Sequence, residues 1–230
     1  MKYTKILNNF IYHNGLIKEN DKIVMAVSGG IDSMVLSHLL KNYADRRKDN
    51  IFLEAVYVQI DEVALADERL NYLHHFFDQL QIRFTVLTGK IYQGVDLNCF
   101  ICARERRKQL CTYAIESGFD SIAYGHILDD YLETGLMNMI AHGHLESLTP
   151  FDTMFDNKIQ VIRPLLRFNK KQIYCYARNN GIKEGKHKCG YEHHNMREQV
   201  RDLILQQKKI HPVYRKSLRK IINKWNNMNI

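Results

Sequence analysis

Lys22–Leu40, KIVMAVSGGIDSMVLSHLL, is the stretch that decides how the rest of the chain is read. Ile23, Val24, Met25, Ala26 and Val27 form a short apolar run with β-branched members, which predicts a buried strand over 22–27. Ser33, Met34, Leu36, Leu39 and Leu40 then recur at helical spacing. Ser28-Gly29-Gly30-Ile31-Asp32-Ser33 therefore lies at a strand-to-helix turn, where free backbone N–H groups face any anion set above the helix start. The paired glycines permit positive φ and close approach of a ligand, Ser28 and Ser33 offer hydroxyls, and Asp32 is placed to hold a metal ion or cap the helix. The turn is read as a phosphate cradle. It is neither the Walker A pattern, G-x-x-x-x-G-K followed by Ser or Thr, nor the dinucleotide pattern G-x-G-x-x-G.

Outward from this turn the chain alternates strands and helices. A short amphipathic helix is expected over 1–17, with Ile6, Leu7, Phe10 and Ile11 on one side and Gly15 as its stop. Further strands are expected over 51–58, 83–87, 121–124 and 161–162, and helices over 64–80, 99–117, 129–141 and 170–180, the last capped by Asn169 and ended by Gly181. This order predicts an α/β fold with a doubly wound, mostly parallel five-stranded sheet. Residues 1–181 are read as the α/β domain that carries the phosphate turn, including the Cys99–Cys102 helix, and 182–230 as an extension with a Cys/His loop and one or two basic helices.

Charge separates the two parts. The net charge is +8, and residues 163–230 hold 17 Lys and Arg against 4 Asp and Glu. That excess predicts a polyanion partner, nucleic acid, on the C-terminal part, with Lys208, Lys209, Arg215 and Lys216 among the contacts. Tyr174, Tyr176 and Trp225 are aromatic rings near it in sequence, suited to stacking on RNA. No run of eighteen apolar residues occurs and the N-terminus lacks a signal peptide's apolar centre, so a cytoplasmic protein without a membrane partner is expected.

In that compartment five cysteines point to metal or catalysis rather than disulfides. Cys99 and Cys102 share a loop-to-helix junction at a spacing that lets both thiolates reach one metal, and Cys189 stands in a distant Lys/Gly/His loop. Cys111 and Cys175 are expected to be structural. On its own the Cys99–Cys102 pair leaves open a redox dithiol, half of a zinc site that Cys189 and His187 would complete, part of an iron–sulfur site, and chance. His126, Asp129 and Asp130 follow the fourth strand at the carboxyl edge of the sheet, where open α/β folds bind ligands. The carboxylates suit Mg²⁺ on a phosphate chain, Asp130 also as a catalytic group, and His126 suits the phosphate or the base. Arg104, Arg106 and Arg107, with Arg163, are placed to bind phosphate, and Arg104, Arg107 and Arg163 join the expected RNA-binding set.

The SGGIDS turn resembles the PP-loop of the ATP pyrophosphatase (adenine nucleotide alpha hydrolase) superfamily. The segments CFICARERRKQL, AYGHILDDYLETGLMNMIAHGHLESL, VIRPL and KCG, followed by Asn195 and Arg197, are similar in order and spacing to the tRNA 2-thiocytidine synthetase family over about residues 20–205. The resemblance implies ATP on Ser28, Gly29, Gly30, Asp32, Ser33 and His126, with attack at the α-phosphorus and an adenylate as product. It also implies a [4Fe–4S] cluster on Cys99, Cys102 and Cys189 as the sulfur-handling group, with Zn²⁺ as the alternative metal. A tRNA substrate and a sulfur donor such as a cysteine desulfurase follow from it, and it leaves room for a homodimer. The family usually carries a second histidine before its acidic pair, where this chain has Ile127. Lysidine formation, uridine-34 thiolation, sulfur chemistry on a small molecule and a non-enzymatic metal- and RNA-binding protein of the same fold are the rival readings.

Overall fold

Strand β1 (Lys22–Val27) forms the middle of the sheet, as its unbroken apolar run requires: Ile23, Val24 and Met25 are wholly buried. The structure is a computed structural model that describes residues 2–47, 49–60, 63–89, 98–185, 196–228 and 230, with Cys99 and Lys208 described in backbone only. Strands β2 (Phe52–Ile60) and β4 (Ser121–Ala123) flank β1 in parallel. Outside them, β3 (Arg83–Gly89) pairs in parallel with β2 and β6 (Ile159–Ile162) in parallel with β4. A sixth strand, β5 (Phe151–Met154), runs antiparallel along β6 and gives the order β3-β2-β1-β4-β6-β5.

The sheet thus has one strand more than predicted. β5 is four residues long with Phe151, Asp152 and Thr153 exposed, so no buried apolar run announces it. The chain winds from β1 out to β3 and then returns to place β4 on the other side of β1. The carboxyl ends of β1 and β4 therefore meet at the topological switch point, where such sheets open a crevice.

Helices cover both faces. On one side α4 (Cys99–Glu116) brings Leu110, Cys111 and Ala114 onto Val24, Val56, Val58 and Ile122. Alternate residues Ile23 and Met25 belong to the larger core, shared with α1 (Lys2–Asn14), α2 (Ile31–Asp45), α3 (Asp67–Gln79), α5 (Leu128–His142) and α6 (Lys170–Asn179). The buried carboxylate Glu54 on β2 is satisfied by Tyr113 Oη at 2.6 Å and Thr85 Oγ1 at 2.7 Å, both donating to Oε1. Asn169 caps α6 as the sequence predicts: its side chain accepts from Gln172 N while Gln172 Oε1 accepts from Asn169 N.

Both basic C-terminal helices, α7 (Met196–Ile210) and α8 (Tyr214–Trp225), dock on α5. Val200, Ile204, Leu218 and Ile222 enter the larger core. Gly135 makes the α8 contact close: a Cβ there would stand 2.7 Å from Ile222 Cδ1. This packing carries arginines of α7 and α8 to the acidic first turn of α5.

Candidate active site

At the end of β1 the chain turns through Ser28, Gly29 and Gly30 into α2. Gly29 has φ +78°, whereas Gly30 is extended at φ −82°, so only the first of the paired glycines needs glycine's freedom. The two serines brace the turn. Ser33 Oγ donates to Gly30 O at 2.9 Å and accepts from Ser28 N at 3.3 Å, while Ser28 Oγ accepts from Gly30 N at 3.2 Å. Ser33 is buried, so its hydroxyl shapes the loop from behind, and exposed Ser28 is the serine turned to solvent.

Two residues that the sequence did not single out hold this turn. Arg69 on α3 donates through Nη2 to Gly29 O at 2.7 Å and through Nε to the same oxygen at 3.2 Å, with its guanidinium over the Tyr72 ring. Gly125, after β4, lies so close that a Cβ would meet Ser33 N at 3.0 Å and Asp32 C at 3.1 Å.

Asp32, Asp129 and Asp130 line the lip of the crevice. Lys170, at the start of α6, donates through Nζ to Asp32 Oδ2 at 2.8 Å and Oδ1 at 3.1 Å, and its backbone N donates to Asp129 Oδ2 at 2.9 Å. Asp129 Oδ1 accepts from Arg215 Nη2 at 2.7 Å. Asp130 Oδ2 accepts from Ile127 N at 2.8 Å, capping α5, and its Oδ1 lies 3.4 Å from Arg197 Nη1. Burial is the main force raising the Asp32 and Asp130 carboxyls above their usual range, and neighbouring carboxylates add to it against the opposing cations. Ile127 itself is buried, so the place of the family's second histidine is a core position here.

Between the turn and α4 lies a cleft of about 360 Å³, lined among others by Ser28, Asp32, Tyr57, Arg106, Tyr124 and His126. The Tyr124 hydroxyl and His126 Nδ1 are buried and have no hydrogen-bond partner in the described structure. Such orphaned atoms in a cleft fit a polar ligand that supplies what the protein does not. Burial, helped by Arg163, Arg197 and Arg107, pushes the His126 imidazole down to about 3, so it is neutral at pH 7. Its unfolded value is near 6.5, so the unfolded chain takes up a proton first and folding stability falls as pH drops from about 6.5 towards 3. In chemical unfolding measured across that window, wild type will lose more stability than His126→Gln; parallel losses would show that the ring protonates freely in the folded state.

Cys99 opens α4 and Cys102 follows one turn later, with Asn98 capping the helix by accepting from Ile101 N at 2.9 Å. Ala103, Arg106, Arg107 and Leu110 of the same helix line the cleft. Two soft donors one turn apart fit an iron–sulfur cluster or zinc by donor chemistry; Cys189 and His187, the remaining expected ligands, lie outside the described residues. Among the described residues no three His, Cys, Asp or Glu side chains converge as a ready metal site. The hard oxygens of Asp129 and Asp130 fit Mg²⁺ in its usual manner, with one or two carboxylates and the rest of the shell from phosphate and water. Cys111 is buried, as expected, and its thiol is pushed up to about 11 by burial.

The expected RNA-binding residues divide. Arg104, Arg107, Lys209 and Lys216 are exposed, and Lys208 lies on α7. Arg215 is tied to Asp129 at the crevice lip. Arg163 departs from the expectation: it is 6% exposed and donates through Nη1 to Thr149 O at 2.8 Å, so it holds the segment before β5 and presents no charge to a surface partner. Trp225 is exposed, Tyr174 half so, and Tyr176 is buried against α2 and α1.

A PP-loop domain profile matches residues 1–208. The tRNA-cytidine(32) 2-sulfurtransferase of Geobacter sulfurreducens is 33% identical over 192 residues, which are 78% of this chain and 73% of that protein. The protein of the same name from Geotalea daltonii is 31% identical over 228 residues, 94% of this chain and 89% of that one. Among solved structures, the U34-tRNA thiolase NcsA from Methanococcus maripaludis, with its [4Fe–4S] cluster, matches with a TM-score of 0.77 over 97% of this chain and 78% of that chain at 23% identity, a likeness of fold.

Proposed function

The chain belongs to the PP-loop domain family, among its tRNA 2-thiocytidine synthetase-like members, and from this we propose that it is an ATP-dependent sulfurtransferase that thiolates a cytosine of tRNA in the cytoplasm. The observation that supports this best is the course of α4, which begins with Cys99 and Cys102 and continues directly as a wall of the cleft beside the glycine turn. One helix thereby joins a sulfur-handling end to a nucleotide-handling end.

ATP lies with its β and γ phosphates over the turn 28–33, where the backbone N–H groups at the start of α2 meet the charge that builds on the leaving pyrophosphate. Asp129 and Asp130, now paired with Arg215 and Arg197, would hold Mg²⁺, which would supply charge neutralisation on the phosphates, and Lys170 keeps Asp32 from repelling the phosphate chain. Neutral His126 gives a hydrogen bond without adding charge. The cytosine carbonyl oxygen attacks the α-phosphorus; the new O–P bond forms as the bond to pyrophosphate breaks. A sulfide-level sulfur then adds to the same carbon, and AMP departs with the original oxygen. No net electrons are exchanged. Cys99, Cys102 and Cys189 would hold a [4Fe–4S] cluster, which would supply a binding site for that sulfur. A cysteine desulfurase is its expected source. Residues 1–181 carry the adenylating machinery, and 182–230 contribute Cys189 and the basic RNA-facing helices.

Purified protein given ATP, Mg²⁺ and an RNA stem-loop with a loop cytosine will release AMP and pyrophosphate. ADP and phosphate as the products would overturn the reading, because they place the attack at the γ-phosphorus.

A further inference from the structure

A second cleft, larger than the first, opens on the other side of the acidic lip. It has a volume of about 570 Å³, within the roughly 300–1,000 Å³ of small-ligand pockets. Its floor is apolar, made by Leu128 and Leu132 of α5 with Ile204 of α7; Leu205 lies at its edge, and Lys171, Arg201 and Arg215 also line it, Arg201 paired with Glu133 and Arg215 with Asp129. Asp32 and Asp130 line both this cleft and the one beside the glycine turn. The two cavities therefore meet at those carboxylates.

We propose that this second cleft receives the target nucleotide of the RNA, flipped out of its loop; the proposal rests on the thiolation reading and names the half of that site which holds the acceptor. Ser28 and Ser33 of the glycine turn line the first cleft and not the second, so ATP belongs in the first and the second is left for the other reactant. An apolar floor suits the faces of a pyrimidine. The Asp32 carboxylate at the junction accepts hydrogen bonds, which favours cytosine, whose exocyclic amine donates, over uracil, which presents a carbonyl at that place. The cations at the rim match the sugar–phosphate backbone on either side of a flipped base, and exposed Lys209 and Lys216 continue that charge along α7 and α8. A base seated in this cleft brings its carbonyl to the junction, where the α-phosphate arrives from the first.

The test uses Leu205, 46% exposed at the cleft edge, outside the buried core. Leu205→Glu puts a carboxylate at that edge, and Gln206→Glu makes a one-unit charge change at the next position, outside the cleft. Fluorescence anisotropy of a labelled RNA stem-loop, with ATP affinity measured in parallel, gives the readout. Leu205→Glu is expected to weaken RNA binding by at least about tenfold, Leu205→Met and Gln206→Glu by less than about threefold, with ATP affinity unchanged in all three. The wild type will bind a loop with cytosine more tightly than the same loop with uridine. Equal weakening by Leu205→Glu and Gln206→Glu would reduce the effect to surface charge and overturn the proposal, and so would a loss of ATP affinity in Leu205→Glu. These outcomes are independent of the products of ATP cleavage. Wild-type RNA binding in Leu205→Glu together with AMP and pyrophosphate release would overturn the cleft assignment alone, and release of ADP would overturn the function alone.

Discussion

Gly29→Val will leave a folded protein that releases pyrophosphate from ATP at no more than about one-hundredth of the wild-type rate, the scale of loss when reacting groups are misplaced by about 1 Å. Gly29 stands at φ +78°, where a β-branched residue is strained, and a Cβ would meet Leu65 Cδ1 at 2.8 Å. The Leu65 side chain can yield, but the strain of φ +78° lies in the backbone, whose Gly29 carbonyl Arg69 holds, so relief must come from the turn itself. Moving that turn moves the N–H groups meant for phosphate. Gly118 supplies the control, since it has φ +70° with nothing within 4 Å of a Cβ. Gly118→Val pays a similar backbone strain and will keep its activity. Gly125→Ala, whose Cβ presses on the backbone of Asp32 and Ser33, will lose activity in the same direction to a smaller extent. Wild-type turnover in Gly29→Val would remove the turn from the reaction.

Replacing Cys99, Cys102 or Cys189 by Ala will abolish sulfur insertion and the broad visible absorbance of anaerobically reconstituted protein, and will leave RNA-dependent formation of AMP and pyrophosphate in place. The separation follows from position: Cys99 and Cys102 begin α4, while the phosphate machinery lies on the β1–α2 turn and the start of α5. Cys111→Ala will alter neither activity. Its thiol lies in the core beside Met154 and is held protonated by burial, so it offers no thiolate to a metal. Loss of absorbance with Cys111→Ala and its retention with Cys189→Ala would mean that the third ligand is misassigned. Zinc in place of iron, in fully active protein, would move the site to the Cys₃His alternative.

The strand–turn–helix at 22–40 was legible because local rules agree there: an apolar run, two glycines and helical periodicity all mark the same boundary. Its internal geometry was not, since two adjacent glycines look alike in sequence and only the fold gives positive φ to Gly29. The acidic pair after β4 could be placed at the sheet edge from strand order, but not its cations. Arg215 reaches Asp129 across 86 residues and Arg197 reaches Asp130 across 67, distances at which spacing carries no information. Arg163 misled for a different reason. Charge predicts exposure, and here Thr149 O accepts from the guanidinium in the interior and Asp152 pairs with it at 4.0 Å. β5 escaped because a four-residue exposed edge strand has no apolar pattern to read.

The central claim is that this chain puts sulfur on a tRNA cytosine by way of the glycine turn and the α4 cysteines. Mass spectrometry of tRNA nucleosides tests it most directly, in cells lacking the gene and in the same cells carrying wild type, Gly29→Val or Cys102→Ala. The account predicts that 2-thiocytidine disappears with the gene, returns with wild type and stays absent with either variant. Undiminished 2-thiocytidine in cells without the gene would contradict it.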